Sequence, residues 1–484
     1  MSIDIADTHP HATLDDILDT AAHASAVWAN SPATFRAAVM RTVADRLDDR
    51  AAELIETAAT ETHLTVPRLR NELLRTTFQL RFFADIVETG DYLDARIDHA
   101  DPNWGMGPRP DIRRVNQPVG PVLVFAGSNF PFAFSVAGGD TASALAAGCA
   151  VIVKAHSGHP ELSVQTGAVV AQAIQEAGGP DGLLSVITGT ETGRQALVDP
   201  RVKAASFTGS IPGGRALFDL ACGRPEPIPF FGELGSVNPT FVTKSAAARR
   251  ADEIVGGFVD SFTLGAGQFC TKPGVLFVPV DSDLVQRLRD AQTPSAASLL
   301  NTRIHAGYVG ALTEILQHDA VQPLVLHPAS HDDPPAPTLV LTSVDHVLAD
   351  PEHLITEVFG PTALVVEYDD ESQLLDVATA LHGQLTATVQ GSDDDAIAPQ
   401  LIRVLSDKAG RVLWNQWPTG VTVTYAQQHG GPYPATTAPS STSVGGAAIE
   451  RFLRPVAYQG MPEHLLPSAL QDANPMQVPQ RIDN

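Results

Sequence analysis

Between Pro121 and about Phe231, short apolar runs alternate with segments that have the periodicity of helices. PVLVFAG, CAVIVK and LLSVIT are apolar almost throughout, which is typical of strands that are buried on both faces. The segment PELSVQTGAVVAQAIQEAG opens with Pro160 and is followed by a second glycine, as helices commonly start and stop. Strands that alternate with helices of about 10 to 15 residues predict a parallel sheet wrapped on both faces. The predicted fold class is α/β.

The rest of the chain adds three kinds of segment. Residues from about 13 to 98 have apolar positions three and four apart and are predicted to be helical. The stretch 103–118 (WGMGPRPDIRRVNQP and its neighbours) is broken by prolines, which favours an extended arm. From Asn238 onwards strands and helices alternate again, and 484 residues are enough for two sizeable cores. The sequence therefore predicts two doubly wound α/β domains.

Composition excludes several classes of protein. The net charge of −24 argues against a nucleic-acid partner, because phosphate would be repelled. No apolar run approaches the roughly 18 residues of a membrane span, and the acidic N-terminus lacks the pattern of a signal peptide. The 3 cysteines form no CxxC pair, and the 16 histidines form no HxxxH or HExxH motif. We therefore expect a cytoplasmic protein without disulfides and without a metal site.

Chemically useful side chains follow the predicted strands. Ligands bind at the carboxyl ends of parallel strands, so these positions are the first candidates for a site. Asn129 follows PVLVFAG and could donate its amide to an oxyanion. Lys154 ends the CAVIVK strand, and lysine is scarce in this chain, so it is a candidate for binding an anion. VKAASF is followed by a GxxxxG turn that could hold a pyrophosphate at a helix N-terminus, formed by Gly209, Ser210 and Gly214.

Two further residues suggest covalent chemistry. Glu233 lies between glycines and beside apolar residues in FFGELG, a setting that could raise the pKa of its carboxyl for general-base work. Cys270 lies in GQFCTKPG, where small and turn-forming residues permit close approach by a ligand. A thiol packed in a core would be inert, whereas an accessible thiolate is a nucleophile. Taken singly, each residue is equally compatible with an ordinary loop or turn position.

Together these segments resemble the aldehyde dehydrogenase superfamily. The resemblance rests on six blocks whose order and spacing agree with that family over nearly the whole chain: FAGSNFPF, VIVKAHS, SFTGSIPGG, FFGELGSVNP, GQFCTKPG and EVFGPTALV. Within it, SVNPTFV, HGGPYPATTAPSSTSVGGAAIERFLRPVAYQG and LLPSALQDANP are most similar to the α-ketoglutaric semialdehyde (2,5-dioxovalerate) dehydrogenases. Gly127 and Ser128 stand where the family often has Pro-Trp, a departure that also occurs in this branch.

The resemblance implies NAD(P)-dependent oxidation of an aldehyde to a carboxylic acid. Cys270 would form a thiohemiacetal and then a thioester, Asn129 and the Cys270 N–H would hold the oxyanion, and Glu233 would activate water. The implied substrate is α-ketoglutaric semialdehyde, and the implied product is 2-oxoglutarate. By the same resemblance, Phe134 and Phe269 would contact the substrate. The residues that would contact the cofactor are Lys154, Ser157, Gly209, Ser210, Gly214, Glu357 and Phe359.

The position of Ser157 bears on the choice of cofactor. NAD-preferring members often have an acid there that chelates the adenosine 2′-hydroxyl, and an acid would repel the 2′-phosphate of NADP. Ser157 with Lys154 nearby would tolerate that phosphate. We therefore expect either NADP or NAD to be used, and NADP at least as well as NAD.

The resemblance also implies a domain organisation. Residues 1–99 and 119–236 would form the dinucleotide-binding domain, and 237–445 the catalytic domain with the nucleophilic cysteine. Residues 100–118 and 446–484 would form an oligomerisation arm and C-terminal tail, so a homodimer or homotetramer is expected.

Alternatives remain open at this point. The NADP-dependent fatty aldehyde dehydrogenases share the KAHS element, and a hydrolase of the amidase type could use a Cys, Glu and Lys set. A coenzyme A-acylating enzyme would not need Glu233 as a hydrolytic base. Among the remaining residues, Cys149 and Cys222 are predicted to be structural. His429 could face the substrate entrance, but we predict that it lies in a turn. Arg109 and Arg113 are candidates for a substrate-carboxylate anchor by charge alone.

Overall fold

The computed structural model describes residues 12–483. Residues 1–11, which the sequence assigns to the dinucleotide-binding domain, lie outside this range. Thr13 caps the first helix, since its Oγ accepts the N–H of Asp16 and the Asp16 carboxylate accepts the N–H of Thr13. Gly90 ends the fourth helix with a φ of 75°. The four N-terminal helices are α1 (Leu14–Ala29), α2 (Ala33–Asp49), α3 (Ala51–Thr62) and α4 (Val66–Thr89).

A five-stranded parallel sheet follows, in the order β5-β4-β3-β6-β7. Its strands are buried on both faces between helices, as the apolar runs predict. The predicted helix over 13–98 extends too far, because residues 95–98 form strand β1. This stretch comprises β1 (Ala95–Asp98), β2 (Ile112–Pro118), β3 (Val122–Phe125), α5 (Gly139–Ala147), β4 (Val151–Lys154), α6 (Pro160–Glu176), β5 (Leu184–Ile187), α7 (Thr190–Val198), β6 (Ala204–Thr208), α8 (Ile211–Cys222) and β7 (Phe230–Glu233).

The strand register brings the candidate residues to one edge of this sheet. Phe125 pairs with Lys154 on one side and with Phe207 on the other, and Thr208 pairs with Glu233. Parallel strands end together at such an edge, where ligands bind in open α/β sheets. The loops that follow β3, β4 and β6 therefore start at the same edge of the sheet as Glu233.

A seven-stranded sheet forms the second α/β unit, in the order β10-β11-β12-β9-β8-β13-β14. All its pairings are parallel except that of β10 with β11. The α/β fold with parallel sheets is therefore confirmed. Its elements are β8 (Thr240–Val242), α9 (Lys244–Thr263), β9 (Val275–Pro279), α10 (Leu284–Asp290), α11 (Thr302–Gln317), β10 (Gln322–Val325), β11 (Thr338–Ser343), α12 (Val344–Ala349), α13 (Pro351–Leu354), β12 (Thr362–Tyr368), α14 (Ser372–Ala380), β13 (Gln384–Gln390), α15 (Ala398–Ser406) and β14 (Ala409–Trp414).

A smaller four-stranded sheet joins the segment before β3 to the C-terminal region. Its order is β15-β2-β1-β16, where β15 is Leu453–Gln459 and β16 is Gln480–Ile482. It has its own small apolar cluster, which includes Ile97 and Leu470. Within residues 12–483, no helix combines the length and the apolar character that crossing a membrane requires.

The segment between β14 and β15 returns from the seven-stranded sheet to the five-stranded one. The N–H of Leu234 donates to the carbonyl of Ala435, and the N–H of Thr437 donates to the carbonyl of Gly232. Glu233 and Thr436 form an isolated β-bridge between these two hydrogen bonds. This contact places residues of the returning segment against the end of β7.

Candidate active site

Cys270 follows a tight turn at the end of α9. Gly265 and Gly267 have φ angles of 57° and 68°, a region that glycine adopts without steric cost. A β-carbon on Gly267 would lie 2.1 Å from the carbonyl oxygen of Gly360. The glycines of GAGQFC therefore let the loop that carries the thiol pack directly against the segment that follows Glu357.

The thiol lies in a cluster with Glu233 and His429. The distance from Cys270 Sγ to His429 Nε2 is 3.6 Å, and that from His429 Nε2 to Glu233 Oε1 is 2.9 Å. The second contact is not a hydrogen bond, since Glu233 Oε1 has no hydrogen-bond partner among the described residues. Ser443 Oγ donates to the other carboxylate oxygen of Glu233. Donor atoms of the three residues lie within 4.8 Å of one another and would also suit a transition metal. The spacing of histidines in the sequence does not predict this cluster.

Electrostatics in this cluster differ from the expectation. Burial raises the pKa of the Glu233 carboxyl, but the charge and proximity of His429, with hydrogen bonds from Ser443 and Cys270, outweigh burial and lower it below its usual range. The predicted raised pKa is wrong, because His429 and Ser443 arrive from a distant segment. Burial raises the pKa of the Cys270 thiol, and the charges of Glu233 and Glu357 raise it further. The free thiol therefore needs an adjacent base to become a nucleophile.

Asn129 lies beside the thiol loop, as its position after β3 suggests. Its side chain is buried, and its Nδ2 donates to the carbonyl of Gln268 at 3.0 Å. The backbone carbonyl of Asn129 accepts from Arg68 Nη2 at 2.7 Å. The amide that would serve an oxyanion thus points at the loop two residues before Cys270.

The candidates at the other strand ends occupy the same edge of the five-stranded sheet. Lys154 is half-buried, and burial followed by the charge of Arg303 lowers the pKa of its ammonium. Its Nζ forms no ion pair or hydrogen bond with any other residue in 12–483, although its backbone carbonyl accepts the N–H of Ala126. Ser157 is exposed in the loop after β4, and Ser210 caps α8 by accepting the N–H of Gly213 at 3.4 Å. A cation without a partner and an open helix N-terminus suit a phosphate-bearing ligand.

The glycines of the turn also allow close packing around the N-terminus of α8. A β-carbon on Gly214 would lie 2.1 Å from Leu234 Cδ2, and one on Gly209 would lie 2.7 Å from the ring of Phe207. Gly214 therefore allows α8 to pack against the residue after Glu233. This packing fixes the helix N-terminus relative to the end of β7.

Glu357 is held by a buried lysine that the sequence analysis did not select. Lys272 Nζ donates to the carbonyls of Gly360 at 3.0 Å and Thr362 at 2.8 Å, and also to the carbonyl of Val358. Burial lowers the pKa of Lys272 to about 8 and raises that of Glu357 to about 7, and their opposite charges limit both shifts. A β-carbon on Gly235 would lie 2.5 Å from Glu357 Oε2. Phe359 is half-buried in the same loop.

Aromatic side chains form a wall on the other side of the thiol loop. The ring of Phe130 lies 5.2 Å from that of Phe269 and 5.5 Å from that of Phe134, both in edge contacts. Phe134 also meets the ring of His429 at 6.5 Å. Phe130 and Phe269 line a cavity of about 590 Å³ together with residues of α4. The structure therefore brings Phe134 and Phe269 together near Cys270.

Several other expectations change. His429 is buried and part of the thiol cluster, so its prediction as a turn residue is wrong. Arg113 donates to Asp472 and Asp111, and Arg109 to Asp483, so both arginines belong to the four-stranded sheet and are not anchors for a substrate. Asp472 and Asp483 lie more than 350 positions from these arginines, so the pairings with them leave no trace in the local sequence.

The other two thiols differ from Cys270 in environment. Cys149 is buried in the core, where burial raises the pKa of its thiol to about 11, and its Sγ contacts the carbonyl of Phe452 at 3.6 Å. Cys222 is exposed at the end of α8. Only Cys270, among the described residues, has its thiol beside a carboxylate and an imidazole.

Comparison with known proteins agrees with this geometry. The sequence model described as the aldehyde dehydrogenase family matches residues 4–434. The chain belongs to the aldehyde dehydrogenase family. It is 44% identical over 461 residues to α-ketoglutaric semialdehyde dehydrogenase 2 of Azospirillum brasilense, covering 93% of this chain and 87% of that one. It is 42% identical to α-ketoglutaric semialdehyde dehydrogenase of Acinetobacter baylyi, covering 98% and 91%.

The solved structures support the same fold for this family member. Aldehyde dehydrogenase 21 from Physcomitrella patens, in complex with the reaction product succinate, superposes with a TM-score of 0.76. The two chains are 21% identical over 93% of this chain and 91% of that one. The resemblance inferred from the six sequence blocks is confirmed. As a member of this family, the protein is an NAD(P)-dependent oxidoreductase that oxidises aldehydes to carboxylic acids.

Proposed function

We propose that this aldehyde dehydrogenase converts α-ketoglutaric semialdehyde to 2-oxoglutarate, with NADP used at least as well as NAD. The observation that carries the reaction type is the cluster of Cys270, Glu233 and His429, with the amide of Asn129 beside it. The identities of 42% and 44% to two α-ketoglutaric semialdehyde dehydrogenases support the substrate.

In the first step, the Cys270 thiol loses its proton to Glu233 and attacks the aldehyde carbon. The carboxylate of Glu233 is the base, since its lowered pKa keeps it ionised and it lies in the same cluster as the thiol. His429 Nε2 is within 3.6 Å of Sγ and 2.9 Å of Oε1, so the proton can be shared without a large movement. The oxygen of the thiohemiacetal would receive the Asn129 amide and the Cys270 N–H, a donor pair worth about 3 to 4 kcal/mol per donor in comparable sites.

The residues at the sheet edge fit a nicotinamide dinucleotide. Lys154, Ser157 and the N-terminus of α8 would hold the adenosine and phosphate part, and Glu357 with Phe359 the nicotinamide ribose and ring. A nicotinamide cofactor held there would supply the acceptor for the hydride that leaves the carbon attached to Cys270. Lys272 positions Glu357 by binding the carbonyls of the same loop.

In the last step, after the proton taken from the thiol has passed to solvent, Glu233 takes a proton from water, and the water oxygen attacks the thioester carbon. The Cys270 thiolate leaves, and the carboxylic acid is released. Ser443 holds one oxygen of Glu233, which fixes the direction of the other towards His429 and the thiol. Hydrolysis of the thioester requires a carboxylate at this position, whereas acyl transfer to a thiol cofactor does not.

The substrate assignment is tested by NADPH formation with a panel of aldehydes. We expect the highest kcat/KM with α-ketoglutaric semialdehyde, and lower values with succinic semialdehyde, pentanal and long-chain aldehydes. A long-chain aldehyde as the best substrate would contradict the substrate proposal and favour the fatty aldehyde branch, while the family assignment would stand.

The nucleophile is tested by Cys270→Ala with Cys222→Ala as a matched control. The first variant should lose turnover by about 10⁴-fold or more, as removal of a covalent nucleophile does. Cofactor binding, followed by fluorescence titration, should be retained. Cys222 is exposed and has no part in the proposed mechanism, so its variant should keep full activity. Substantial turnover by Cys270→Ala would contradict the mechanism.

The cofactor preference is tested by Ser157→Glu. A carboxylate in this exposed loop would repel the 2′-phosphate of NADP and accept from the 2′-hydroxyl of NAD. The ratio of kcat/KM for NADP to that for NAD should fall at least about tenfold, since like charges in contact near a surface cost about 1 kcal/mol or more. Gln175→Glu, which adds a charge on the exposed face of α6, should leave the ratio unchanged. An unchanged ratio in Ser157→Glu would refute the role of this position.

Assembly and location are part of the same proposal. Strand β15 is an edge strand of the four-stranded sheet, and most of its side chains are exposed. Edge strands of this kind are natural surfaces for pairing with another chain. We expect a cytoplasmic homodimer or homotetramer that contacts through residues 100–118 and 446–484. Light scattering coupled to gel filtration would show a monomer if this is wrong.

A further inference from the structure

Two arginines of α4 face the cavity beside Cys270 with unused hydrogen-bond donors. Arg75 has Nε and Nη2 buried without a hydrogen-bond partner among residues 12–483. Its guanidinium lies over the ring of Phe134 at 5.5 Å. Arg68 has Nε and Nη1 in the same situation within the described chain, and its guanidinium lies 5.2 Å from the ring of Phe130 and 4.7 Å from that of Phe269. Buried donors of this kind are normally paired, so their isolation indicates a ligand.

The charge of this group is also unbalanced. Glu72 lies one helical turn from each arginine, and it is buried. Its Oε1 accepts the N–H groups of Phe132 at 2.8 Å and Ala133 at 3.1 Å, so part of its charge is already engaged. Both guanidinium groups remain charged at any pH of interest. Arg68 and Arg75 therefore share the single carboxylate of Glu72, and one of their two positive charges has no counter-ion within this group of three residues.

The position of Arg75 relates it to the reacting groups. It lines the cavity of about 590 Å³ that Phe269, the neighbour of Cys270, also lines. Burial lowers the pKa of the Arg75 guanidinium, and the charges of Glu72, Cys270 and Glu233 oppose that lowering. Arg75 therefore lies within electrostatic reach of the thiol and the general base.

We propose that Arg75 binds the carboxylate of an anionic aldehyde, with Arg68 behind it, and so determines the preference for acidic aldehydes. This inference rests on the proposed oxidation of α-ketoglutaric semialdehyde. An arginine fork matches a carboxylate in two parallel hydrogen bonds, which fixes the orientation of the substrate chain. Arg68 differs from Arg75 in that it also donates to the backbone carbonyl of Asn129. Arg75 is therefore the cleaner residue to change.

The test compares two aldehydes of equal length in each variant. α-Ketoglutaric semialdehyde carries the carboxylate, and pentanal is a neutral five-carbon aldehyde. In Arg75→Met, the ratio of kcat/KM for the anionic aldehyde to that for pentanal should fall about 10- to 100-fold, mainly through KM. Arg75→Lys keeps the charge without the fork and should give an intermediate ratio. Arg70→Met, an exposed arginine of the same helix, is the control and should keep the wild-type ratio.

The outcomes separate this inference from the proposed function. An Arg75→Met enzyme with an unchanged ratio would overturn the inference, whatever its absolute activity. A wild-type enzyme that prefers pentanal to α-ketoglutaric semialdehyde would overturn the proposed substrate. Thermal unfolding of each variant shows whether a loss of activity with both aldehydes comes from loss of the fold. If Arg75→Met does not fold, the ratio of the two kcat/KM values is measured in Arg75→Lys instead.

Discussion

Lys272 and Arg75 are two buried cations in the walls around Cys270, and they differ in how their donors are used. Lys272 is 3% exposed, and its Nζ donates to three backbone carbonyls. Its charge is also matched by Glu357. Arg75 has two buried N–H donors without a partner among residues 12–483 and shares Glu72 with Arg68. One cation is fully satisfied by the protein, and the other is not.

The difference separates a structural role from a binding role. A buried charge is tolerated when the fold supplies its hydrogen bonds, and removing it leaves those groups unpaired. Lys272 therefore holds the Glu357 loop in place. A buried cation whose donors have no partner lowers the stability of the fold, because no hydrogen bond replaces the lost contacts with water. Such a cation is retained where a bound ligand of opposite charge supplies the missing hydrogen bonds, as we propose for Arg75.

The largest expected effect is on stability, and it should differ between the two cations. Lys272→Met would leave three carbonyls and Glu357 without their partner, which should cost about 3 to 5 kcal/mol. Arg75→Met, with the same change of side chain, should cost about 1 kcal/mol or less, because few of its hydrogen bonds are lost. Thermal unfolding of the two variants measures the contrast. An equal or larger loss in Arg75→Met would contradict it.

The contrast also shows what the sequence could predict. Cys270, Glu233, Asn129 and Lys154 lie in local motifs whose residues carry the signal. The structure places Cys270 beside Glu233, Asn129 against the loop before Cys270, and Lys154 at the same sheet edge as Glu233. The role of Lys272 depends on carbonyls that lie 86 to 90 residues further along the chain. His429 is 159 residues from Cys270, and no periodicity connects the two.

Arg75 could not be selected from its local pattern for a related reason. It lies in an amphipathic helix whose other arginines are partly surface residues, such as Arg70. The same distance effect reversed the expected shift of the Glu233 pKa, since its local neighbours are apolar and its polar partners come from 429 and 443. The fold class depends on local patterns and was predictable, whereas the electrostatics of the site depend on tertiary contacts.

A smaller effect concerns the partner of Lys272. The pKa of Glu357 is raised to about 7 from its ordinary 4.5, mainly by burial. A carboxyl whose pKa is raised on folding contributes stability that is fully present below its unfolded pKa and is lost as pH rises through its folded pKa. Wild type should therefore lose about 3 kcal/mol relative to Glu357→Gln between pH 4.5 and 8. Urea unfolding of both proteins across this range measures it. Parallel pH profiles would show that Glu357 does not titrate in this window.

The smallest expected effect concerns Glu72, which competes with the substrate carboxylate for Arg75. In Glu72→Gln, the side-chain oxygen can still accept from the N–H groups of Phe132 and Ala133, but the charge is lost. The kcat/KM for α-ketoglutaric semialdehyde relative to pentanal should rise about two- to fivefold. Burial raises the pKa of Glu72, so the increase should grow as pH rises and more of the wild-type carboxyl is ionised. Glu88→Gln, at the exposed end of the same helix, serves as the control. A fall in the ratio would mean that Glu72 positions Arg75 rather than competing for it, and the two cations would then both depend on a protein carboxylate.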